Sequence, residues 1–242
     1  MAGFKEGKTT LNRLEMEELG NVNGKSLFHL QCHFGLDTLS FARLGAEVTG
    51  VDFSTEAISH ARRLNDEVGL NAMFIHSDIY DLPDSLDGKF DIVFTSYGVL
   101  CWLPNMPGWG QTIARCLKPG GVFYLVDSHP FLGVFEMGEP ASDFQIVLSY
   151  FHKSEPFEFQ GEGTYASPSD GTVYTTYEWA HGLGDTVNAL ISSGLQIEFI
   201  HEFPHMQWQA FPFLEQDGEG LWRLPDDRPQ IPLTFSVRAH KT

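Results

Sequence analysis

The order of elements from Ser26 to Phe53 constrains the fold of this chain more than any other feature. An apolar run at its start meets a tight turn at Cys32–Gly35, and a helical pattern begins at Asp37. A second apolar run, residues 48–51, ends on the carboxylate of Asp52. Strand, loop, helix, strand and acid in this order are typical of half of a nucleotide-binding α/β unit. This order brings free backbone N–H groups and a carboxylate to one crevice.

Apolar and helical patterns continue to alternate up to about residue 130. This alternation predicts a parallel sheet with right-handed crossovers. The run Leu117-Lys-Pro-Gly-Gly121 predicts a helix stop followed by a turn. Strands are predicted at residues 26–31, 47–51, 72–76, 90–95 and 121–127, and helices at residues 37–44, 54–68 and 108–117.

The pattern changes after Pro130. Two stretches that alternate with period two, residues 157–163 and 171–179, predict a β-hairpin with a turn at 166–171. The remaining predictions are a helix at 183–193 that ends at Gly194, closing strands at 195–203 and 233–239, and a Trp- and Pro-rich loop at 204–230.

Together these elements predict an α/β fold. The expected architecture is a doubly wound, Rossmann-like, mostly parallel seven-stranded sheet with an antiparallel closing strand and a β-hairpin-containing insertion. A length of 242 residues suits one domain. Within residues 1–242 we predict an N-terminal segment or lid (1–25), a cofactor-binding half (26–130), a substrate-side insertion (131–178) and a closing helix with strands (179–242).

Composition argues against several classes of partner. The chain carries 15 basic and 32 acidic residues and a net charge of −17. Nucleic acids and anionic membranes attract clustered Lys and Arg, so we expect neither as a partner. The cysteines, Cys32, Cys101 and Cys116, form no zinc or disulfide pattern, so we expect no metal and a cytoplasmic location.

Four sites at the predicted strand ends could carry chemistry. The turn at Cys32–Gly35 offers helix N-terminal N–H groups, although it could be an ordinary tight loop. Asp52 could accept hydrogen bonds from ribose hydroxyls, or serve only as an acid at a helix N-terminus, and Phe53 could cover a base. Ser77-Asp78-Ile79 could bind an exocyclic amine and a ring nitrogen, or form a capped loop. Residues 90–97 run from an apolar strand into small polar residues.

At this point the chain resembles the class I S-adenosylmethionine-dependent methyltransferases, in particular small-molecule methyltransferase-domain proteins. The resemblance covers roughly residues 25 to 130, with the motifs in the order and at the spacings of that family. The motifs are Leu30-Gln-Cys-His-Phe-Gly-Leu-Asp-Thr38, Ala46-Glu-Val-Thr-Gly-Val-Asp-Phe53, His76-Ser-Asp-Ile79, Phe90-Asp-Ile-Val-Phe94 and Leu117-Lys-Pro-Gly-Gly121.

The resemblance implies S-adenosylmethionine as cofactor and S-adenosylhomocysteine as product. It implies that Asp52 binds the ribose and that the loop at 32–35 faces the methionine portion. The cofactor-binding residues expected from the residues and the resemblance together are Gln31, His33, Gly35, Asp52, Phe53, Ser77, Asp78, Ile79, Thr95 and Ser96.

The first motif departs from the family pattern, which is acid-x-Gly-x-Gly-x-Gly. This chain has His29 at the acid, Gln31 and His33 at the first two glycines, and retains Gly35. The side chains at 31 and 33 must therefore point away from the cofactor or contact its carboxylate, as His33 could.

Methyl transfer from a sulfonium is an in-line displacement, so the protein mainly orients the acceptor and excludes water. If the acceptor must lose a proton, His129 and Tyr97 are the predicted catalytic residues, with His181 a further candidate base. Each could instead be satisfied by a core or loop hydrogen bond. The residues predicted to bind the acceptor are Tyr97, Trp102, His129, Phe131, Tyr177 and Trp179, with Phe135 nearby.

The sequence leaves two other functions open. One is an NAD-dependent oxidoreductase, although Gln31 and His33 oppose the close approach of a pyrophosphate to the turn. The other is a non-catalytic cofactor-binding regulatory protein. The expected partner is a small-molecule methyl acceptor whose reacting atom is O, N, S or C. The oligomeric state stays open, with a homodimer as one alternative.

Overall fold

A computed structural model describes residues 2–135, 143–162 and 173–242 of the chain. In chain order its helices are α1 (Ala2–Lys5), α2 (Arg13–Leu19), α3 (Leu36–Arg43), α4 (Thr55–Val68), α5 (Met106–Cys116) and α6 (Leu183–Ser192). Its strands are β1 (Ser26–Leu30), β2 (Glu47–Asp52), β3 (Met73–His76), β4 (Phe90–Ser96), β5 (Leu117–Ser128), β6 (Phe157–Glu162), β7 (Val173–Glu178), β8 (Leu195–Phe203), β9 (His205–Met206), β10 (Glu215–Gln216), β11 (Trp222–Arg223) and β12 (Thr234–Lys241).

Seven strands form one sheet in the order β3-β2-β1-β4-β5-β12-β8. The pairs among β1 to β5 are parallel. The last strand of the chain, β12, runs antiparallel to both β5 and β8. The predicted mixed sheet with an antiparallel closing strand is therefore confirmed. In such a sheet the carboxyl ends of β1, β2 and β4 lie side by side, and that edge is where ligands bind in open α/β folds.

Helices pack on both faces of the sheet, which makes the fold doubly wound. On one face, Trp109 and Ile113 of α5 and Leu190 of α6 are fully buried against apolar strand residues. On the other face, Phe41 of α3 and residues of the N-terminal segment pack against Phe94 and the strands around it. Strands covered on both sides read as continuous apolar runs, which is why their positions are predictable from sequence.

The predicted β-hairpin is confirmed, since β6 and β7 pair antiparallel from Phe157 opposite Glu178 to Glu162 opposite Val173. Its predicted turn, residues 166–171, lies outside the described residues. The prediction of a loop at 204–230 is wrong, because β9, β10 and β11 form a small antiparallel sheet there. This small sheet shares an apolar cluster with the segment after β5, where Leu132 packs with Phe211 and Leu224.

The prediction of a turn at residues 117–121 is also wrong. Strand β5 begins at Leu117, which pairs with Phe90, and the regular register with β4 resumes at Val122 opposite Ile92. The intervening residues form an irregularity in which Gly120 adopts a positive φ of 74°. Lys-Pro-Gly-Gly thus acts as a bulge that bends the strand without ending it.

The N-terminal segment lies against α3, close to the ligand-binding edge of the sheet. Phe4 is buried beneath the guanidinium of Arg43, which also donates a 2.8 Å hydrogen bond to the Phe4 carbonyl. Thr10 donates from Oγ1 to Asp37 at 2.5 Å, and its backbone N–H donates to Ser40 Oγ at 3.1 Å. A lid function for this segment stays a prediction. Among the described helices, none has the length and apolar character needed to cross a membrane.

The loop between β1 and α3 depends on Gly35, which has a positive φ of 72° and lies against a ring. A Cβ atom at Gly35 would come within 2.6 Å of the Phe74 ring. We therefore expect Gly35→Ala to reduce the free energy of unfolding by about 2–5 kcal/mol, through left-handed strain of about 1–2 kcal/mol and overpacking of about 1–3 kcal/mol. Chemical denaturation measures this loss.

Gly69→Ala is the matched control, because Gly69 has a similar φ of 66° but no atom within 4 Å of the added Cβ. Its free energy of unfolding should fall only by the cost of the left-handed strain, about 1–2 kcal/mol. Equal losses for the two variants would contradict the packing role of Gly35.

Candidate functional site

A cleft of about 600 Å³ opens at the carboxyl ends of β1, β2 and β4. We call it the strand-end cleft. Its walls come from the loop after β1, the end of β2 and the loop after β4, three segments that are distant in sequence. The residues that line it are His29, Gln31, Cys32, His33, Asp37, Asp52, Phe53, Ser54, Ser96, Tyr97, Gly98, Val99 and Trp102.

The loop after β1 follows an unusual backbone path. Gln31 has φ = 55° and His33 has φ = 49°, and within the described residues these are the non-glycine residues with positive φ. Both occupy positions at which the family motif has glycine. Left-handed backbone costs a side-chain-bearing residue about 1–2 kcal/mol. The chain therefore keeps the backbone shape of a glycine-rich loop and places two polar side chains on it.

Asp52, at the end of β2, fastens this loop in place. Its Oδ2 accepts a 2.9 Å hydrogen bond from the backbone N–H of His33, and its Oδ1 accepts one of 2.9 Å from Ser54. The residue is only 6% exposed. A carboxylate has about four acceptor positions, so each oxygen can still accept one further hydrogen bond. Two hydroxyl groups on adjacent carbons are one ligand element that such a pair can bind.

His29 and Asp37 form a second polar group in the strand-end cleft. His29 is buried, and its Nδ1 lies 2.8 Å from Thr38 Oγ1. Burial lowers the pKa of His29 to about 4, so the ring is neutral at pH 7. Asp37 accepts from Thr10 and, at 3.4 Å, from Ser96. This wall therefore presents a carboxylate and a neutral imidazole, which suits a ligand that carries positive charge.

The loop after β4 is held by Asp127, a fully buried carboxylate at the end of β5. Asp127 Oδ1 accepts from the backbone N–H groups of Gly98 at 2.6 Å and Ser128 at 2.7 Å, and Oδ2 accepts from Val99 at 3.4 Å. Burial raises the pKa of Asp127, while these hydrogen bonds favour its charged form. The fixed loop aims the Val99 carbonyl at Gln31, whose Nε2 donates to it at 3.0 Å.

Tyr97 links the strand-end cleft to the N-terminal helix α2. Its hydroxyl accepts a 3.4 Å hydrogen bond from Asn12 and contacts the carboxylate of Glu15, which accepts from Asn12 at 3.1 Å. Burial, with Glu15 nearby, raises the pKa of Tyr97, so the phenol keeps its proton. Burial also raises the pKa of Glu15, which is 2% exposed and has one oxygen without a hydrogen-bond partner.

A second cleft, of about 630 Å³, lies beyond Tyr97 between α2 and the small sheet. We call it the N-terminal cleft. Asn12 and Gln207 both line it, and both contact the Tyr97 hydroxyl. Because Tyr97 also lines the strand-end cleft, this tyrosine separates the two clefts. The lining residues are Asn12, Arg13, Leu14, Glu17, Phe203, His205, Gln207, Glu219 and Leu221.

Several predicted cofactor residues lie next to the strand-end cleft and not in its wall. Asp78 is exposed after β3 and accepts from the Tyr80 backbone at 2.9 Å. Ser77 donates to the carbonyls of Asp78 and Asp81, and the carbonyl of the buried Ile79 accepts from Thr112. Thr95 is fully buried beneath the cleft, as expected from the alternation of side chains along β4.

The structure does not bring His129 to the strand-end cleft. Its Nδ1 accepts from the backbone N–H of Phe131 at 3.2 Å, and its Nε2 lies 3.0 Å from an oxygen of Glu202 on β8. The ring also packs edge-on against Phe235 of β12. His129 therefore faces the far side of β5, where it caps the turn that follows. His181 is likewise engaged, at 2.6 Å from the Leu103 carbonyl.

The aromatic residues that were predicted to bind the methyl acceptor are spread over three places. Trp102 lines the rim of the strand-end cleft. Phe131 packs edge-on against Phe135 at 5.0 Å. Tyr177 is exposed on β7, and Trp179 is fixed by hydrogen bonds from its backbone to Cys101 and from its indole to Ser154.

The sequence did not predict Asp37, Glu15 or Asp127 as site residues. Asp37 reads as an ordinary acid in the first turn of a helix, and Asp127 reads as the polar end of a strand. The burial of Glu15 on α2 carries no signal in the sequence, because it depends on a contact with Tyr97 far along the chain.

Comparison with known proteins shows which family the region around the strand-end cleft resembles. Residues 28–125 match the family model described as "Methyltransferase domain". Over these residues the chain is similar to that family. The matched region contains the loop after β1, Asp52 and the end of β4, so the predicted resemblance to class I S-adenosylmethionine-dependent methyltransferases is confirmed.

Two curated relatives are similar to parts of the chain. An uncharacterized methyltransferase of Synechocystis is 32% identical over 143 residues, which cover 54% of this chain and 65% of that protein. A ubiquinone biosynthesis O-methyltransferase of Alkalilimnicola ehrlichii is 32% identical over 114 residues, which cover 46% of each protein. The matches thus span about half to two thirds of these relatives' own length.

Solved structures extend the likeness in fold to nearly the whole chain. An S-adenosylmethionine-dependent methyltransferase from Mesorhizobium loti is 22% identical, with a TM-score of 0.61 over 98% of this chain and 100% of that chain. The glycopeptide N-methyltransferase MtfA, complexed with sinefungin, is 18% identical, with a TM-score of 0.59 over 94% of this chain and 85% of that chain. The predicted α/β fold is confirmed, and S-adenosylmethionine is the cofactor that this family indicates.

We expect His29 to remain neutral to about pH 4 in the folded protein, because burial opposes its charged form. In the unfolded chain the ring should take up a proton near pH 6.5. The folded pKa is the lower one, so the free energy of unfolding should fall as pH falls from about 6.5 to about 4. Histidine NMR titration should place the transition of this ring near pH 4.

His29→Asn assigns the resonance and serves as the control for stability. Its free energy of unfolding, from chemical denaturation, should decline less steeply over the same pH window than that of the wild type. A ring that titrates near pH 6.5, or equal slopes for the two proteins, would contradict a buried neutral His29.

Proposed function

We propose that this chain uses S-adenosylmethionine to methylate a small molecule. The observation that carries the proposal is the paired use of Asp52, whose two oxygens fix the loop after β1 while each keeps room for one more donor. A ribose offers two adjacent hydroxyl groups of the required kind. The family match over residues 28–125 supports the same conclusion.

The residues of the strand-end cleft fit this cofactor. A volume of about 600 Å³ is in the range of small-molecule sites. We propose that Asp52 binds the ribose and that the exposed ring of Phe53 covers the adenine, with Asp78 and the Ile79 N–H at its edge. Gly35, Thr95 and Ser96 shape the floor below the methionine portion. Asp37 and the neutral His29 favour the positive charge of the cofactor.

Bound in this cleft, S-adenosylmethionine supplies a methyl group already activated on a sulfonium. The protein must then orient an acceptor and exclude water. We propose that the acceptor enters through the N-terminal cleft, which Tyr97 separates from the strand-end cleft. Trp102 lines the rim of the strand-end cleft. A role of Phe131, Tyr177 and Trp179 in binding the acceptor stays a prediction, since they lie apart from the residues that line the two clefts. A cleft of about 630 Å³ suits a small molecule.

An acceptor that loses a proton needs a group to receive it. We propose Glu15, acting through the hydroxyl of Tyr97, because its raised pKa makes it a stronger base than an exposed carboxylate. This assignment keeps Tyr97 in the site but moves the role of base away from His129. The ring of His129 is turned to Phe131 and Glu202 on the other side of β5.

Two experiments test the function directly. Calorimetry with S-adenosylmethionine, S-adenosylhomocysteine and NAD should give binding of both adenosyl compounds and none of NAD. A panel of small amines, phenols, thiols and carboxylic acids, incubated with methyl-labelled S-adenosylmethionine, should then yield a labelled product. Tight binding of NAD alone would overturn the proposal. Adenosyl-ligand binding without turnover across the panel would favour a regulatory protein.

We expect Asp52→Asn to weaken binding of S-adenosylhomocysteine at least tenfold, because it removes the charge that two ribose hydroxyls share. The same substitution should weaken binding of a 2′,3′-dideoxy analogue much less, since this analogue lacks those hydroxyls. Calorimetry measures both dissociation constants.

Asp66→Asn removes the same charge from the exposed surface of α4 and should leave both dissociation constants unchanged. If Asp52→Asn changes the affinity for S-adenosylhomocysteine by less than about threefold (about 0.7 kcal/mol), Asp52 does not bind the ribose. Equal losses for both ligands would indicate a role in loop structure alone.

A further inference from the structure

The N-terminal cleft is rich in oxygen atoms that can accept hydrogen bonds, and Asn12 contributes the first of them. Its Nδ2 donates to a carboxylate oxygen of Glu15 at 3.1 Å and to the Tyr97 hydroxyl at 3.4 Å. Because a carboxylate can only accept, chemistry fixes the orientation of this amide. The polar atom that Asn12 leaves to the cleft it lines is therefore its carbonyl oxygen, Oδ1.

Asn12 Oδ1 has no partner, although an ordinary use for it lies close by. Asn12 is the N-cap residue of α2, where an asparagine oxygen usually accepts from the first turn of the helix. Here it makes no such hydrogen bond. Among the described residues no other group donates to it, and the half-buried Asn12 leaves this atom partly accessible. The chain thus forgoes a stabilising cap and presents the oxygen to the cleft.

Gln207 provides a second acceptor, on the side of the cleft that the small sheet forms. It follows β9, lines the same cleft and contacts the Tyr97 hydroxyl. The single proton of the phenol is directed to Glu15, so Gln207 must donate to the phenol oxygen through its NH₂ group. The carbonyl oxygen of Gln207 is then the amide atom turned away from Tyr97.

The charges that line the N-terminal cleft are on balance negative. Arg13 is the one basic side chain among its described lining residues, and two carboxylates hold it. Its Nε lies 2.7 Å from an oxygen of Glu17, and its Nη1 lies 3.9 Å from an oxygen of Glu219. Burial lowers the pKa of His205, so this ring adds no charge at pH 7. One positive and two negative charges leave one negative charge unbalanced.

An aromatic ring, that of Phe203 at the end of β8, also lines the cleft. The face of such a ring attracts cations. Acceptor oxygens, negative charge and an aromatic face are together the groups that bind an ammonium, which has three donors and no acceptor. An anionic group would meet two carboxylates and two carbonyl oxygens, and a neutral hydroxyl group could supply only one donor.

We propose that the N-terminal cleft binds the ammonium group of a cationic methyl acceptor. The carbonyl oxygens of Asn12 and Gln207 accept from this group, and the carboxylates of Glu17 and Glu219 supply the negative field around it. The inference rests on the proposed function, which brings the methyl acceptor to this cleft. It narrows the acceptor from any small molecule to amines that are protonated at pH 7. A ligand held by both amides lies beside Tyr97, the residue that separates the two clefts.

The test uses three probes that share one skeleton and differ in charge: 2-phenylethylamine, 2-phenylethanol and 3-phenylpropanoate. Calorimetry on the intact protein, saturated with S-adenosylhomocysteine, gives their dissociation constants. The ionic strength is kept at about 0.01 M, where exposed charges act over about 30 Å. We expect the amine to bind at least about tenfold more tightly than the alcohol, because hydrogen bonds to charged groups are the stronger ones. The propanoate should bind most weakly.

Two variants show which groups recognise the amine. Asn12→Ala removes one acceptor oxygen, and the double variant Glu17→Gln with Glu219→Gln leaves Arg13 as an unbalanced cation. In each variant the preference for the amine over the alcohol should fall at least about fivefold, while the affinity for the alcohol changes little. The double variant should also bind 3-phenylpropanoate more tightly than the wild type does.

The matched control is the double variant Asp66→Asn with Glu67→Gln. It removes two negative charges from exposed positions on α4. This helix packs against β2 and β3, at the edge of the sheet opposite β8 and the N-terminal cleft. The control should therefore keep the wild-type preference for the amine.

The other outcomes each overturn a distinct statement. An unchanged preference in either variant overturns the inference, and so does an alcohol or propanoate that binds the wild type at least as tightly as the amine. Equal losses of affinity for all three probes would indicate a structural role and also overturn it. If S-adenosylhomocysteine binds and none of the probes does, the inference fails while the proposed function stands. If S-adenosylhomocysteine itself does not bind, the proposed function fails.

Discussion

The hydrogen bonds to Asp52 are the interaction on which the site depends. The carboxylate ends β2, and by accepting from His33 and Ser54 it ties the loop after β1 to the start of α4. This tie helps to stabilise the left-handed backbone of the loop at Gln31 and His33. The same oxygens are the ones we assign to the ribose. Loop structure and cofactor recognition therefore share one side chain, which remains nearly buried so that its hydrogen bonds are strong.

A second buried carboxylate shapes the other wall of the strand-end cleft. Asp127 gathers backbone N–H groups of the loop after β4, and this loop presents the Val99 carbonyl to Gln31. The loops after β1 and β4 are thereby joined through Gln31. Both acids are satisfied by backbone donors and not by cations, so the cleft keeps a negative character. That character suits a sulfonium cofactor with an ammonium group, in a chain whose net charge is −17.

The sequence predicted the central sheet because its strands are buried on both faces and read as apolar runs. It also predicted that Asp52 ends the second strand, where α/β nucleotide-binding folds have a carboxylate that can bind a ribose. It could not predict β9 to β11, since strands of two residues form only through contacts with each other. It also missed Glu15, whose burial depends on Tyr97, and it placed His129 in a cleft from which the ring is turned away.

A crystal structure of the protein with S-adenosylhomocysteine tests the central claim most directly, because it locates every part of the ligand at once. We predict a ligand in the strand-end cleft with its ribose hydroxyls within about 3 Å of the two Asp52 oxygens. Its amino-acid end should lie between the loops after β1 and β4. A ligand bound elsewhere, or one whose ribose makes no contact with Asp52, would contradict the account.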